Sequence, residues 1–432
     1  MGSFGKPARG PAIVIAALVG IYMLSQFFRN SIAVIAPDLA REFDLDAAAL
    51  GFLSSVFFLS FSAAQIPLGV AIDRWGPKAP MVATALLLIA ATVFFALAAD
   101  SRQLTAARLL LGFGCCAYFM APLALYAGLF SADRFSTVAS IHLGAGSLGM
   151  LMATAPLAIG AASIGWRNVF LIAAAFAALM TVTLVLFVHE APQAVAARRS
   201  RAETWGETFA GILASTRAPG FWPLFFMQAA SSSTLATILG LWVGPWLAQV
   251  YHVPLEERGS LILALAVAQI AAVFAWGPSD RLFRSYRVPV LIGTGLVVGA
   301  LALAALAPIP RAALPWALAF YGAALGFFPV LVAHGKSLFP PALTGRGITL
   351  LNMGTMGGTF VMQSVTGLAI ETFGFRMVDG VRTYPPEAYR LVFAILAAQL
   401  ALAAWFYRRA PDRDEALAGA ASQDEAPLQQ SE

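Results

Sequence analysis

A chain of 432 residues with 59% hydrophobic and only 11% charged side chains, at a mean hydropathy of +0.78, cannot be an ordinary soluble domain. Its formal charge of +5 sits on basic residues scattered at the ends of apolar runs, a distribution that orients a membrane protein and offers no nucleic-acid surface. Cys115 and Cys116 are adjacent within an apolar run, which suits packing and neither a disulfide nor a metal site.

Apolar segments of about twenty residues, the length that crosses a bilayer, recur along the whole chain. The first half reads as spans over 12–37, 48–72, 79–99, 104–128, 136–163 and 167–188. The second half reads as 220–249, 258–277, 288–308, 313–335, 346–371 and 387–407. Twelve spans predict an all-α membrane protein with both termini on one side. Lys6 and Arg9 ahead of the first apolar run imitate a signal peptide. No small-x-small site closes that run and its apolar character resumes past Arg29, so an uncleaved first span is expected. Of the 27 Lys and Arg, seventeen fall on the side of the termini, nine on the opposite side, and Arg29 inside a span. The excess predicts cytoplasmic termini and a multi-pass protein of a bacterial-type inner membrane.

In span 1, Arg29 lies eight residues before Pro37, so about 12 Å inside that end at a rise of about 1.5 Å per residue. Inserting an arginine there costs at least about 2.5–3.5 kcal/mol, and it needs a partner or a water-filled cavity. Tyr22, Gln26 and Arg29 share one helix face at i, i+4 and i+7, a polar stripe expected to face the interior. The planar fork of a guanidinium suits a carboxylate or phosphate. The other use open to Arg29 is structural, by snorkelling to the surface or tying to a backbone carbonyl.

Between spans 2 and 3 stands a charged hinge, Gly69-Val-Ala-Ile-Asp73-Arg74-Trp75-Gly76-Pro77-Lys78. Gly69 is expected to let one helix approach a neighbour, Asp73 and Arg74 to mark the membrane exit, Gly76 to turn, and Pro77 to begin the next helix. Span 4 carries Arg108-Leu-Leu-Leu-Gly112-Phe-Gly114, with Arg108 about a turn inside the membrane, expected as a snorkelled structural or gating charge. His142 in span 5 and His334 in span 10 are the residues able to titrate near neutral pH within spans. The partition expected is 1–190 for the first bundle, 191–219 for a cytoplasmic linker, 220–410 for the second bundle and 411–432 for a disordered tail. Within the linker, Thr204 to Leu213 is expected to form a short amphipathic helix on the membrane surface. Gln228, Ser231, Ser232 and Thr237 on span 7, and Asn352, Thr355 and Gln363 on span 11, are the polar candidates for a cavity. Trp222, Trp242 and Trp246 are expected as interfacial anchors.

The hinge returns 207 residues later as Trp276-Gly277-Pro278-Ser279-Asp280-Arg281-Leu282-Phe283-Arg284. Pro37 pairs with Pro245 and Gly146/Gly149 with Gly354/Gly357 at an offset of 208, and Pro122 with Pro329 at 207. One offset kept by several landmarks makes the halves parallel six-helix repeats, with a substrate site expected near mid-membrane between them.

The pattern G-x-x-x-D-R-x-G-x-K, filled by Gly69, Asp73, Arg74, Gly76 and Lys78, resembles the loop signature of the major facilitator superfamily, and Asp280-Arg281 its second copy. The R-x-x-x-G-x-G of Arg108, Gly112 and Gly114 resembles the same superfamily's fourth helix. The resemblance implies the major facilitator fold and a conformational role for these residues. The stretch from Arg29 to Pro37 also resembles the first helix of the organophosphate/phosphate antiporters and the anion/cation symporters. In those branches an arginine at this distance from the proline binds the anionic group of the substrate, a role that falls on Arg29. The organophosphate carriers pair it with a second arginine in helix 7, where this chain has Thr237, and the sugar-acid symporters precede it with an aspartate, where this chain has Phe28. A single positive charge suits a monoanion. Span 5 runs from Gly144 to Pro156 without the Gly-Pro step of the drug/proton antiporter signature.

All 22 Asp and Glu fall in loops, tails or span ends, so proton coupling through a mid-span carboxylate has no residue here. No nucleophile–base pair, metal cluster or nucleotide motif is present, and no enzyme or cofactor is expected. The reading is a monomeric secondary transporter for a small organic anion of carboxylate or sugar-acid type, working by alternating access, with a proton or counter-anion as coupling ion. Efflux of hydrophobic or cationic compounds and a non-transporting membrane sensor are the alternatives.

Overall fold

The computed structural model describes residues 9–129, 132–188, 205–339, 344–378 and 381–412. Helices account for nearly all of it. Span 1 is Arg9–Asn30 continued by Ile32–Glu42, span 2 Ala47–Trp75, span 3 Lys78–Leu97, and span 4 Ser101–Cys115 continued by Met120–Leu129. Span 5 is Ala132–Met152 with Ala155–Ile164, and span 6 Trp166–Phe187. The second half repeats the series. Span 7 is Phe221–Thr237 with Val243–Tyr251, span 8 Leu255–Trp276, span 9 Arg287–Leu306, and span 10 Leu314–Ala324 with Phe328–Ser337. Span 11 is Thr344–Glu371 and span 12 Pro386–Tyr407. Among the described residues ten spans contain an unbent stretch long and apolar enough to cross a membrane, and span 5 is a pair bent by 42°. Span 11 has the length but is rich in Gly and Thr, and it lies packed between spans 2 and 7.

Local chemistry sets the boundaries. The Asp46 carboxylate accepts the Ala49 N–H at 2.7 Å to open span 2, and Asp100 accepts the Gln103 N–H at 2.8 Å to open span 4. Gly76 ends span 2 at φ 78°, where an L side chain would be strained, and it is the turn expected of the hinge. The repeat is visible in the breaks. A 3-10 turn at Cys116–Tyr118 precedes Pro122 in span 4, and one at Leu325–Phe327 precedes Pro329 in span 10. Gly146 seats the Tyr22 ring of span 1, and its counterpart Gly354 seats the Phe225 ring of span 7.

The halves meet at the end of the molecule away from the hinge, here called the far face. Pro37 has no N–H, so the Ala33 carbonyl loses its helical donor. Gly244 lies directly on that carbonyl, where any side chain would collide. Gly51 approaches Gly367 in the same way, and Gly259 packs on Ala155 and Ala158. Polar contacts close the rim: Ser55 with Ser364 at 2.9 Å, the Ala47 N–H on the Glu371 carboxylate at 3.1 Å, and Arg382 on Asp44 at 3.2 Å. Arg382 belongs to a strand pair between spans 11 and 12, Arg376–Val378 antiparallel to Val381–Thr383.

At the hinge face the seam is looser, and one expectation fails. A Cβ on Gly69 would meet nothing within 4 Å, so this glycine supports no close approach; it lines an open cleft shared with Gly345, Arg346 and Thr349. The close glycine contacts of span 2 with span 11 lie at the opposite end. Two of the three tryptophans also differ from expectation. Trp242 is buried and donates its indole N–H to Thr366 Oγ1 at 2.8 Å, and Trp246 is buried against Tyr251 and Phe393; Trp222 alone of the three is exposed. Adding Ile238–Trp242 as a π-turn to span 7 turns these rings inward. The linker helix is present as Trp205–Thr216, with Gly211 against Arg346 of span 11. Of the disordered tail expected over 411–432, Pro411 and Asp412 are described and bonded, the Pro411 carbonyl to His334 and the Asp412 carboxylate to Ser285, and 413–432 lie outside the described residues. Both cysteines are free and buried, as packing requires.

Candidate functional site

A cavity of about 490 Å³ lies between the halves. Its first wall comes from span 1 (Gln26, Arg29, Asn30), Phe58 of span 2, and span 5 from Ser140 to Met150. The second wall comes from span 7 (Ser231, Ser232, Leu235, Ala236, Leu239), span 8 from Gln269 to Phe274, Leu325 to Pro329 of span 10, and Met356 and Thr359 of span 11. The glycine and proline contacts described above shut it toward the far face. Toward the hinge face its lining residues Ser140, Leu143 and Phe274 are exposed, Phe274 at 74%.

Among the described residues Arg29 is the one cation in this lining. Its guanidinium lies over the Phe61 ring, 4.9 Å from the centroid. Its Nε is buried with no hydrogen-bond partner, and among the described residues no carbonyl or carboxylate accepts from the guanidinium. A charge so placed neither snorkels nor ties to backbone. Gln26 donates to the Tyr22 hydroxyl at 3.3 Å, and Asn30 to the Gln26 carbonyl at 2.8 Å, so the polar stripe is internally bonded beside the free fork.

The other polar candidates separate. Tyr22 is buried behind the cavity, stacked on His142 with centroids 4.7 Å apart. Gln228 donates to the Leu331 carbonyl at 3.0 Å and Gln363 to the Ala236 carbonyl at 3.0 Å; both hold spans of the second half together. Thr237 is fully buried, and Asn352 accepts from Thr355; neither lines the cavity. Of the seven residues singled out for binding, Gln26 and Arg29 meet in the lining. Asn30, Gln269, Ser147 and Thr359 line it and were missed. Asn30 follows Arg29 directly, and its inclusion was within reach of the same helical stripe.

Arg108 corrects another expectation. It does not snorkel: it is fully buried, donates from Nη1 to the Phe28 carbonyl at 2.6 Å, and lies over the Phe57 ring at 4.6 Å. Both histidines are occupied. His334 bonds the Tyr407 hydroxyl at 2.7 Å and the Pro411 carbonyl at 2.8 Å; His142 bonds the Tyr118 carbonyl at 3.1 Å and the Tyr126 hydroxyl at 3.3 Å. Gly69, Asp73, Arg74 and Lys78 cluster at the hinge, Lys78 donating to the Val185 carbonyl at 3.2 Å, and Asp280 and Arg281 stand at the equivalent turn after span 8.

Comparison with known proteins agrees with this architecture. A bacterial homologue of the human lysosomal transporter Spinster, in an inward-facing and unoccupied conformation, superposes with a TM-score of 0.76 at 20% identity, covering 93% of this chain and 97% of that one. A D-xylose–proton symporter gives 0.72 at 15% identity, covering 94% and 99%. These likenesses concern the fold. In sequence, Monocarboxylate transporter 11 of Homo sapiens is 31% identical over 171 residues, which is 39% of this chain and 36% of that protein. A protein named "Probable sulfoacetate transporter SauU", of Cupriavidus necator, is 28% identical over 183 residues, 42% of each. The matches thus span well under half of these relatives' length. The family model for the Major Facilitator Superfamily matches residues 18–335, most of the chain. With twelve spans in two repeats and a cavity between them, the chain belongs to the Major Facilitator Superfamily of membrane transporters.

Proposed function

We propose that this protein carries a small organic monoanion across the membrane by alternating access, and that the acid group of the substrate binds Arg29. The observation that carries the reading is the guanidinium in the cavity wall, its Nε buried and without an acceptor among the described residues. A buried charge of this kind costs several kcal/mol unless something pairs with it, and a carboxylate or sulfonate entering the cavity would supply both charge and acceptors. Gln26, Asn30, Ser231, Ser232, Gln269 and Thr359 offer hydrogen bonds around it. The names of the relatives support an acid-bearing substrate, since a monocarboxylate carries one acid group and sulfoacetate two.

Alternating access follows from two glycine-lined seams. The far-face seam is shut and the hinge-face cleft open, and exchanging those two states exposes Arg29 to either side. The basic excess supports a cytoplasmic hinge face, and in this reading the described state is inward-open in an inner membrane. Asp73, Arg74, Asp280 and Arg281 then act at the cytoplasmic rim on the exchange and not on affinity. A coupling proton or counter-anion and a monomeric carrier remain part of this reading.

The test is a thermal-shift screen of purified protein against benzoate, sulfoacetate, gluconate, inorganic phosphate and a cationic dye. A ligand at a hundred times its Kd adds about 2.7 kcal/mol of stability. Saturable stabilisation by benzoate or gluconate, the monoanions of the panel, is expected; stabilisation by the dye alone would replace this reading with efflux of cations.

A further inference from the structure

Arg108 and Arg29 belong to one construction. Span 2 presents Phe57 and Phe61 one turn apart, their rings 6.2 Å apart and 27° from parallel. Arg29 covers Phe61 at 4.9 Å and Arg108 covers Phe57 at 4.6 Å, so a ladder of cation, ring, ring and cation runs from the cavity wall into the core of the first half. Arg108 has no exposure, and its Nε and Nη2 have no hydrogen-bond partner. Among the described residues its one hydrogen bond goes to the carbonyl of Phe28, the residue just before Arg29.

That carbonyl lies at a weak point of span 1. The helical pattern is interrupted at Ser31, whose hydroxyl also turns back to Phe28 O at 3.3 Å. A carbonyl beside a helix interruption needs an outside donor, and a guanidinium in an apolar core is a strong one. Gly112 makes the reach possible. A Cβ there would run into the Phe57 carbonyl and Ser60 Oγ, so span 4 can sit against span 2 only with glycine one turn after Arg108. The spacing of Arg108 to Gly112 therefore has a geometric reason in this chain.

We propose that Arg108 is a positioning residue for the anion site: by holding the Phe28 carbonyl and the Phe57–Phe61 pair, it fixes the backbone and the ring against which Arg29 is aimed into the cavity. It touches no substrate. The proposal rests on the reading of Arg29 as the anion-binding group, but half of its test does not.

The ligand-independent half is hydrogen–deuterium exchange of purified protein, followed in peptides covering 28–34. Losing a charge-assisted hydrogen bond at the interruption should speed exchange there about tenfold or more in Arg108→Gln, with Arg108→Lys restoring much of the protection because an ammonium also donates. A merely structural core residue would loosen spans 2 and 4 as well and would not be rescued by lysine. The second half is binding of benzoate and of sulfoacetate to folded protein. Arg108→Gln should weaken whichever of them wild type binds by roughly tenfold, with Arg108→Lys recovering part of the loss. Exchange at 28–34 within twofold of wild type in folded Arg108→Gln would overturn the proposal, as would unchanged affinity alongside faster exchange. If wild type binds neither anion, the Arg29 reading fails and the exchange result still decides what Arg108 does.

Discussion

At the scale of residues, the cavity sorts polar side chains that look alike in the chain. Gln26 and Gln228 are both span glutamines, yet Gln26 lines the cavity while Gln228 donates to Leu331 inside the second half. Gln228→Ala should lower stability by about 1–3 kcal/mol, because a buried carbonyl loses its donor, and leave anion affinity within threefold. Thermal melts and titration of the same sample check both parts. Thr237→Ala should likewise leave binding nearly unchanged, since Thr237 faces packed protein. A large loss of affinity in either variant would place the site elsewhere. Arg29 was legible because a lone charge in a long apolar run is a physical anomaly that needs no alignment. Asn352, Gln363 and Thr237 were not separable from Thr359 and Gln269, because helical periodicity gives a face but not which neighbour covers it. Whether a glutamine bonds a carbonyl or a cavity is decided by tertiary contacts such as Gln363 on Ala236.

At the scale of elements, length and hydropathy located every span, and turn chemistry located Gly76. Two features escaped. The π-turn at Ile238–Trp242 left no pattern in the residues, and it put Trp242 inside. The strand pair after span 11 did leave one, since Asp379-Gly380 between Arg-Met-Val and Val-Arg-Thr is a hairpin sequence, on a segment that the search for spans passed over. Glycines make the sharpest element-scale prediction. Gly244→Leu should stop the far-face seam from closing, because its side chain would occupy the space of the Ala33 carbonyl. A cysteine introduced near Gly240 should then become reactive to a thiol reagent added from the far side, and net transport should fall to background. Normal transport by that variant would show that the seam opens and closes some other way. Asp73→Asn should slow exchange between states while leaving equilibrium affinity within a few-fold; a large loss of affinity in folded protein would contradict a role confined to the rim.

At the scale of the whole molecule, the internal repeat carried the argument from chain to fold. The offset of 207 to 208 residues joined Pro37 to Pro245, and the structure presses the regions around these two prolines together at the far face. What the repeat cannot reveal is the state, because both states share one sequence and differ only in which seam is packed. Orientation is testable directly. Reporter fusions at Arg201 and after Arg413 should read cytoplasmic, and a signal from the opposite side at either would reverse the sidedness assigned to the cavity. The central claim is that the cavity binds an acid group through Arg29. Its most direct test is equilibrium binding of benzoate, sulfoacetate and gluconate to folded wild-type, Arg29→Lys and Arg29→Gln protein. Removing one partner of a partly dehydrated charge pair costs about 2–5 kcal/mol, so the account predicts that Arg29→Gln weakens a bound anion by roughly 30- to several-thousand-fold, with Arg29→Lys recovering part of it. Affinity of folded Arg29→Gln within threefold of wild type would contradict it.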